Sequence, residues 1–220
     1  PILLGRSLDK LDQIAARISA RDGTVAETMT CDLSDPASCR AAAQRIAERH
    51  PDCDGLVHNG AMWGEAALAD LPDADIAGII GSATSGAMIL TRDLVPILAS
   101  RPHADVLIVG SITGLPNVML RGATSVFKAA KAAQIGFAEG LTEELMNTPV
   151  RVSIVHPGFI HDTMPDEPGW STPRSADDPL TNREVVDAIT YMLTRPPNAT
   201  IRAITIERSA DLLLRTGRNG

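Results

Sequence analysis

At 220 residues, 44% apolar and 21% charged, the chain is long and apolar enough to bury a core as one globular domain. A formal charge of −7 argues against a nucleic-acid or anionic-membrane partner. Cys31, Cys39 and Cys53 are odd in number and lack C-x-x-C spacing, so neither a disulfide framework nor a zinc site is signalled, and Asp177-Asp178 reads as a solvated turn rather than a metal pair.

Free thiols fit a reducing compartment. With no apolar run near 18 residues and no signal peptide, a cytoplasmic protein is the expectation. Pro1-Ile-Leu-Leu-Gly5 is a short apolar run ended by glycine, a buried strand. Ser7 can cap a helix from residue 8 to about 20, with Leu8, Leu11, Ile14, Ala15 and Ile18 on one side. Residues 24–30 alternate polar and apolar as a second strand leading into Cys31-Asp32-Leu33. Ser34 or Asp35 before Pro36 starts a helix that Pro51 stops.

Residues 55–58 form a third strand, broken by Asn59-Gly60. A helical stretch covers residues 73–99, with Gly81 and Pro96 as its weak points. Residues 105–111 (DVLIVGS) are apolar on both faces, as a central parallel strand requires. Within 123–145, Phe137, Leu141 and Leu145 recur every four residues and mark a helix, on which Phe127 and Lys131 lie one turn apart. Taken alone, that helix is either a core element with one lysine reaching water or part of a site. A strand at 150–155, an irregular stretch from 156 to 181, a helix at 182–193 and a strand at 202–206 complete the chain.

Strands alternating with helices imply an α/β, Rossmann-like doubly wound parallel sheet. Ligands in such sheets sit beyond the carboxyl ends of the strands. Those ends carry Gly5-Arg6-Ser7, Asp32-Leu33, Asn59-Gly60-Ala61, Ser111 and Pro157-Gly158. The Pro- and Asp-rich stretch at about 159–181 is the candidate substrate lid.

In this order the residues resemble the short-chain dehydrogenase/reductase family, from Pro1 to about Arg208. The resemblance implies that Asp32 and Leu33 hold adenine and that His58-Asn59-Gly60-Ala61 is the family's Asn-Asn-Ala-Gly turn with its last two residues exchanged. It makes Ser111 the catalytic serine and places Phe127-Lys-Ala-Ala-Lys131 where Tyr-x-x-x-Lys belongs. Pro157, Gly158 and Ile160 would then lie over the nicotinamide, with Thr163 near its carboxamide, one residue late. A serine hydroxyl can hydrogen-bond the oxygen of a carbonyl undergoing reduction, and a nearby acid must then supply a proton. In the family a tyrosine does this, helped by the lysine, which also grips the ribose.

Three departures stand out. Position 127 is phenylalanine, and losing general acid–base help costs about 10²–10⁴ in rate. The accessory asparagine's position falls at Ala83. No G-x-x-x-G-x-G or G-x-G-x-x-G turn occurs, so the family's first strand–helix unit is absent. That strand would lie between the Ile2 and Leu56 strands, so roughly 20–30 further residues are expected upstream of Pro1.

Arg6 with Ser7 favours NADP over NAD, since arginine accommodates a 2′-phosphate; NAD remains open. His156 and His161 are candidate substitute proton donors. Trp63 and Trp170 either line a cleft or pack. Two functions compete: an NADP(H)-binding oxidoreductase acting on a small carbonyl or alcohol, impaired by Phe127, and a non-catalytic nucleotide sensor or scaffold. Small residues on the 123–145 helix, together with the 73–99 helix, suit isologous packing, and the resemblance implies a homodimer or homotetramer.

Overall fold

The computed structural model describes residues 1–64, 66–118 and 122–209. Strands β1 (Ile2–Gly5) and β2 (Glu27–Thr30) pair in parallel on either side of helix α1 (Leu8–Asp22) in the sequence. The expected strand at 24–30 begins three residues later, because the Asp22 carboxylate holds the Thr24 amide at 3.0 Å in a turn. Helix α2 (Pro36–Arg49) starts on Asp35, whose carboxylate accepts from the Ala37 amide at 2.9 Å, with Pro36 in the first turn where its missing N–H does no harm.

Beyond β3 (Gly55–His58), the stretch expected as one helix over 73–99 is two: α3 (Asp73–Ala83) and α4 (Ser85–Ala99). The break falls at Thr84 (φ −120, ψ −79), while Gly81 and Pro96 both lie inside helices. Its surroundings show why the chain bends there. A Cβ at Gly86 would lie 2.1 Å from the Leu33 carbonyl oxygen, so the start of α4 rests directly on the backbone after β2. Residues 73–99 are apolar enough by composition to cross a membrane, yet the break divides them, and Ile79, Leu90, Leu94 and Leu98 enter the core.

Strand β4 (Ala104–Val109), helix α5 (Ser125–Glu144) and strand β5 (Val150–Pro157) follow. The segment after β5 is less irregular than its composition suggests. A short strand β6 (Ile160–His161) pairs with β7 (Leu180–Thr181) around a single helical turn, α6 (Pro168–Ser171). Helix α7 (Asn182–Leu193) opens on a Thr181–Glu184 capping box, and β8 (Ala203–Ile206) closes the main sheet.

That sheet runs β3-β4-β5-β8, all parallel. Val106 and Ile108 of β4 join the core cluster under α2, α4 and α5, while Leu107 packs with Val155 and Met192 toward α7. Both faces are therefore covered, which is why β4 reads as a continuous apolar run. The β1–β2 pair stands apart from β3, and neither facing edge is paired among the described residues. A cavity of about 1100 Å³ lies there, lined by β1, β3, Leu11, Ile46, Leu90 and Leu94. It falls between the two strands that sequence reasoning expects to flank a further strand.

One buried ion pair ties the sheet to the chain beyond α7. Arg151 donates to both Asp105 oxygens at 2.8 and 3.0 Å and to the carbonyls of Leu193, Arg195 and Ala199. Removing the carboxylate leaves a buried guanidinium uncompensated, so Asp105→Ala is expected to destabilise the fold by about 3–5 kcal/mol in urea denaturation.

Candidate active site

Four chain segments converge beyond the carboxyl ends of β4 and β5. Ser111 follows β4; its hydroxyl accepts from the Thr113 amide at 3.1 Å and lies 2.9 Å from the Thr113 hydroxyl. The Pro157 carbonyl is 3.5 Å away. The 3₁₀ turn Ile112–Gly114 lies flat on α5, where a Cβ at Gly114 would come within 2.6 Å of the Lys131 backbone. Only glycine allows that approach, and it joins the serine loop to the lysine's own turn.

Lys131 is 6% exposed. Its ammonium donates to the Val109 carbonyl at 3.0 Å and to Gln134 Oε1 at 3.1 Å, and no carboxylate pairs with it among the described residues. Burial pushes its pKa down to about 8. Unfolding returns this lysine toward 10.5, so the unfolded chain binds the extra proton between pH 8 and 10.5 and this group's contribution to stability rises with pH across that window. The gain is about 3 kcal/mol, and it should appear as the difference between the urea-unfolding pH profiles of wild type and Lys131→Met, because the buried thiols, whose raised pKa acts in the opposite sense over the same window, contribute alike to both.

Phe127 and Lys131 share a helix face as their spacing requires, with the ammonium 5.5 Å from the ring centroid. The ring, 7% exposed, packs among Leu71, Ile79, Ala83, Val126 and Ala130. Trp63 meets it edge-to-face at 4.4 Å between centroids. The tryptophan thus lies over the acid position, while Trp170 is half-buried and offers its carbonyl to Arg183.

His156, expected in a loop, belongs to β5 and is buried. Its Nδ1 meets no hydrogen-bond partner of good geometry among the described residues and sits 3.0 Å from where a Cβ on Gly110 would be. Desolvation, and then the charge of Lys131, lower its pKa against an opposing contact with the Ser111 backbone. His161 is exposed and stacks edge-to-face on Phe159. His58 is a core residue hydrogen-bonded to Thr91 at 2.8 Å, with burial lowering its pKa to about 4.

A second group lines the mouth of the cavity between β1 and β3: Arg6, Asp32, Leu33, Asn59, Gly60 and Ala61. Asp32 accepts from the Ser34 hydroxyl at 2.6 Å and the Ser34 amide at 2.9 Å. These bonds, with a smaller part from Arg6, hold its carboxyl below the usual range. A Cβ at Gly60 would lie 2.7 Å from the Leu33 side chain, which draws the Asp32-Leu33 and Asn59-Gly60 turns together. Ser7 is the cap of α1, its hydroxyl 3.5 Å from the Lys10 amide, and does not line the cavity.

On the opposite flank, Gly158 donates to the Ile206 carbonyl at 2.8 Å. Ile160 pairs with Leu180, and Thr163 faces Gly169. No hydrogen bond among the described residues joins Ile160 or Thr163 to Ser111 or Lys131. Buried Cys31, pushed up to about 12 by desolvation, is an inert core thiol. No cluster able to hold a metal occurs among the described residues.

Sequence reasoning missed Gln134 and Thr113. Gln134 donates its amide hydrogen to the Ala83 carbonyl at 3.0 Å, at the position where the accessory asparagine was expected. Its signal was a polar residue three places after Lys131 on an otherwise small-residue helix.

Residues 1–169 match the short chain dehydrogenase family. The chain belongs to that family. It is 27% identical over 207 residues to an NADP-dependent 3-hydroxy acid dehydrogenase of Schizosaccharomyces pombe, covering 91% of this chain and 79% of that protein. It is also 27% identical over 150 residues to the 3-oxoacyl-[acyl-carrier-protein] reductase FabG of Escherichia coli, covering 68% of this chain and 60% of the reductase. Among solved structures, a putative short-chain dehydrogenase/reductase from Burkholderia xenovorans superposes with a TM-score of 0.80 at 20% identity, over 96% of this chain and 84% of the other. A short chain dehydrogenase from Burkholderia cenocepacia in complex with NADP gives 0.77 at 22%, over 96% and 86%. These last two likenesses establish the short-chain dehydrogenase fold.

Proposed function

We propose that this short-chain dehydrogenase binds NADP(H) and is built for hydride transfer between the cofactor and a small carbonyl or alcohol, with turnover reduced because position 127 has no hydroxyl. The observation that carries the reading is the buried Lys131 ammonium. It has three N–H donors and, among the described residues, two acceptors, at the point where Ser111 and the end of β5 converge. NADP-dependence in the fission yeast relative supports the cofactor choice.

The residues present fit a dinucleotide at both ends. Asp32 and Leu33 would hold adenine, Asn59, Gly60 and Ala61 the adjoining backbone, and Arg6 a 2′-phosphate, with Ser7 beside it. Lys131 would hold the ribose hydroxyls near the nicotinamide. Pro157, Gly158, Ile160 and Thr163 would flank that ring. When bound, the cofactor supplies or accepts the hydride. Ser111 holds the substrate oxygen, and its hydroxyl is oriented for this by Thr113. Lys131 keeps a positive charge beside the oxygen where negative charge develops.

A second reading has its own observation. Phe127 is sealed under Trp63 with no proton to give, which favours a nucleotide-binding chain that has ceased turnover. Exposed Ala129, Ala132, Ala133 and Gly136 on α5 and Met88 on α4 suit a homodimer or homotetramer.

The deciding experiment is calorimetric titration with NADPH and NADH, paired with NADPH oxidation over a carbonyl panel. NADPH binding tighter than NADH, with the preference lost in Arg6→Ala, is the expected result. Failure to bind either dinucleotide would remove the reading.

A further inference from the structure

Gln134 is only 2% exposed, yet its side chain is wholly polar at the tip, and each end of its amide has a partner. Oε1 accepts from Lys131 Nζ at 3.1 Å; Nε2 donates to the Ala83 carbonyl at 3.0 Å. That carbonyl has a particular history in the fold. In an unbroken helix it would accept from the amide four residues on. Here α3 ends at Ala83, the chain turns at Thr84, and no backbone amide among the described residues reaches it. The break, next to the contact between Gly86 and Leu33, therefore leaves a buried acceptor, and Gln134 donates to it.

The same amide sets the lysine. The Lys131 ammonium lies 5.5 Å from the Phe127 ring centroid and is fixed from two directions, by Val109 at the end of β4 and by Gln134 on its own helix. Three N–H donors minus the two acceptors found among the described residues leaves one. A flexible lysine with a single fixed point would sample several rotamers; two acceptors in different directions select one. A residue of similar length without polar atoms at 134 would strand both the Ala83 oxygen and a lysine proton in a buried setting.

We propose that Gln134 is a positioning residue for Lys131, its amide bridging the ammonium to the α3–α4 break so that one N–H is left directed at a ligand oxygen. The proposal draws on the reading of Lys131 as a cofactor-binding group, but its first test does not require a cofactor. It also gives the break at Thr84 a role: the same bend that frees the Ala83 carbonyl anchors the far end of the lysine's support.

Two variants separate positioning from mere core filling. Gln134→Met keeps length and removes both hydrogen bonds, whereas Gln134→Glu keeps the acceptor toward Lys131 and loses the donor toward Ala83. Lys131 is one of three lysines, so ¹³Cε-lysine labelling with Lys131→Arg as the assignment control follows its titration by NMR. Losing the acceptor should lower the Lys131 midpoint by about one pH unit in Gln134→Met, and the added carboxylate should raise it by at least as much in Gln134→Glu. In parallel, NADPH affinity at pH 7 should fall about tenfold in Gln134→Met and be largely kept in Gln134→Glu.

A Lys131 midpoint unmoved in folded Gln134→Met, or unmoved in Gln134→Glu should the methionine variant not fold, overturns the proposal even if NADPH binds. A midpoint that moves as stated while wild type binds no NADPH upholds the lysine–glutamine coupling and removes the cofactor reading instead.

Discussion

Phe127→Tyr is expected to raise NADPH-dependent carbonyl reduction by about 10²–10⁴-fold, the usual contribution of a positioned general acid. On the barrier this is roughly 3–5 kcal/mol. The added phenol would stand on the helix face already occupied by the Lys131 ammonium, which lies 5.5 Å from the present ring centroid. A nearby positive charge favours the phenolate, lowering the tyrosine pKa toward the range where it transfers a proton readily. The effect should appear in kcat with little change in NADPH affinity, since Phe127 touches no residue assigned to the adenosine end.

Two controls sharpen the comparison. Lys131→Met in the tyrosine background should remove most of the gain, because the lysine is what tunes the phenol. Trp63→Ala, which uncovers the ring without supplying a proton, should not reproduce it. Steady-state kinetics on the carbonyl panel decide the matter: a tyrosine variant that binds NADPH yet turns over no faster would favour the sensor or scaffold reading.

The second large effect concerns the backbone contact beneath α4. Gly86→Ala would place a methyl 2.1 Å from the Leu33 carbonyl oxygen and within 3.0 Å of the Leu33 Cα and carbonyl carbon. No rotamer change relieves a clash with backbone, so α4 and the Asp32-Leu33 turn must separate. Overpacking commonly costs about 1–3 kcal/mol and occasionally more, and a backbone clash at this distance belongs at the upper end. Chemical denaturation followed by circular dichroism should show a much lowered midpoint or no folded baseline. Gly140→Ala, where nothing lies within 4 Å of the new methyl, is the matched control and should be neutral or slightly stabilising.

The elements that sequence reasoning located well are those whose signals are local. The continuous apolar run of β4, the four-residue spacing of Phe137, Leu141 and Leu145, and Asp35-Pro36 at the start of α2 each depend on neighbours within a turn or a strand. The order of chemistry-bearing residues at strand ends was also legible, since alternation fixes which ends face one way. Legibility stopped where distant segments decide the outcome. Thr84 has no breaker signal; the break lies beside the close approach of Gly86 to Leu33, some fifty residues earlier. Gln134 looks like an ordinary helix residue until the break it serves is known. His156 was expected to open the irregular stretch after a strand ending at 155, yet parallel pairing of His156 with Thr205 and Pro157 with Ile206 carries β5 past that end. Phe127 was read correctly as part of the Lys131 face, but its cover by Trp63 is a contact across more than sixty positions.

The separation of β1 from β3 bears on how the molecule moves. Across that boundary no ladder of amides among the described residues locks one half-sheet to the other; α2 packed against α4 is the main tie. Side-chain packing tolerates small sliding more readily than a hydrogen-bonded ladder does. Val57 illustrates the state of the boundary, 48% exposed in the middle of a strand whose neighbours Leu56 and His58 are sealed. In the 220-residue chain, amide hydrogens on the facing rims of Ile2–Gly5 and Gly55–His58 should therefore trade with deuterium early, while those of Val150–Pro157, flanked by a strand on each side, stay protected longest; the further strand that the sequence leads one to expect between the rims would protect both. Arg6, Asp32 and Leu33, proposed above for the adenosine end, ride on the half that carries β1 and β2 and Lys131 on the other, so a dinucleotide spanning both would act as a splint between them.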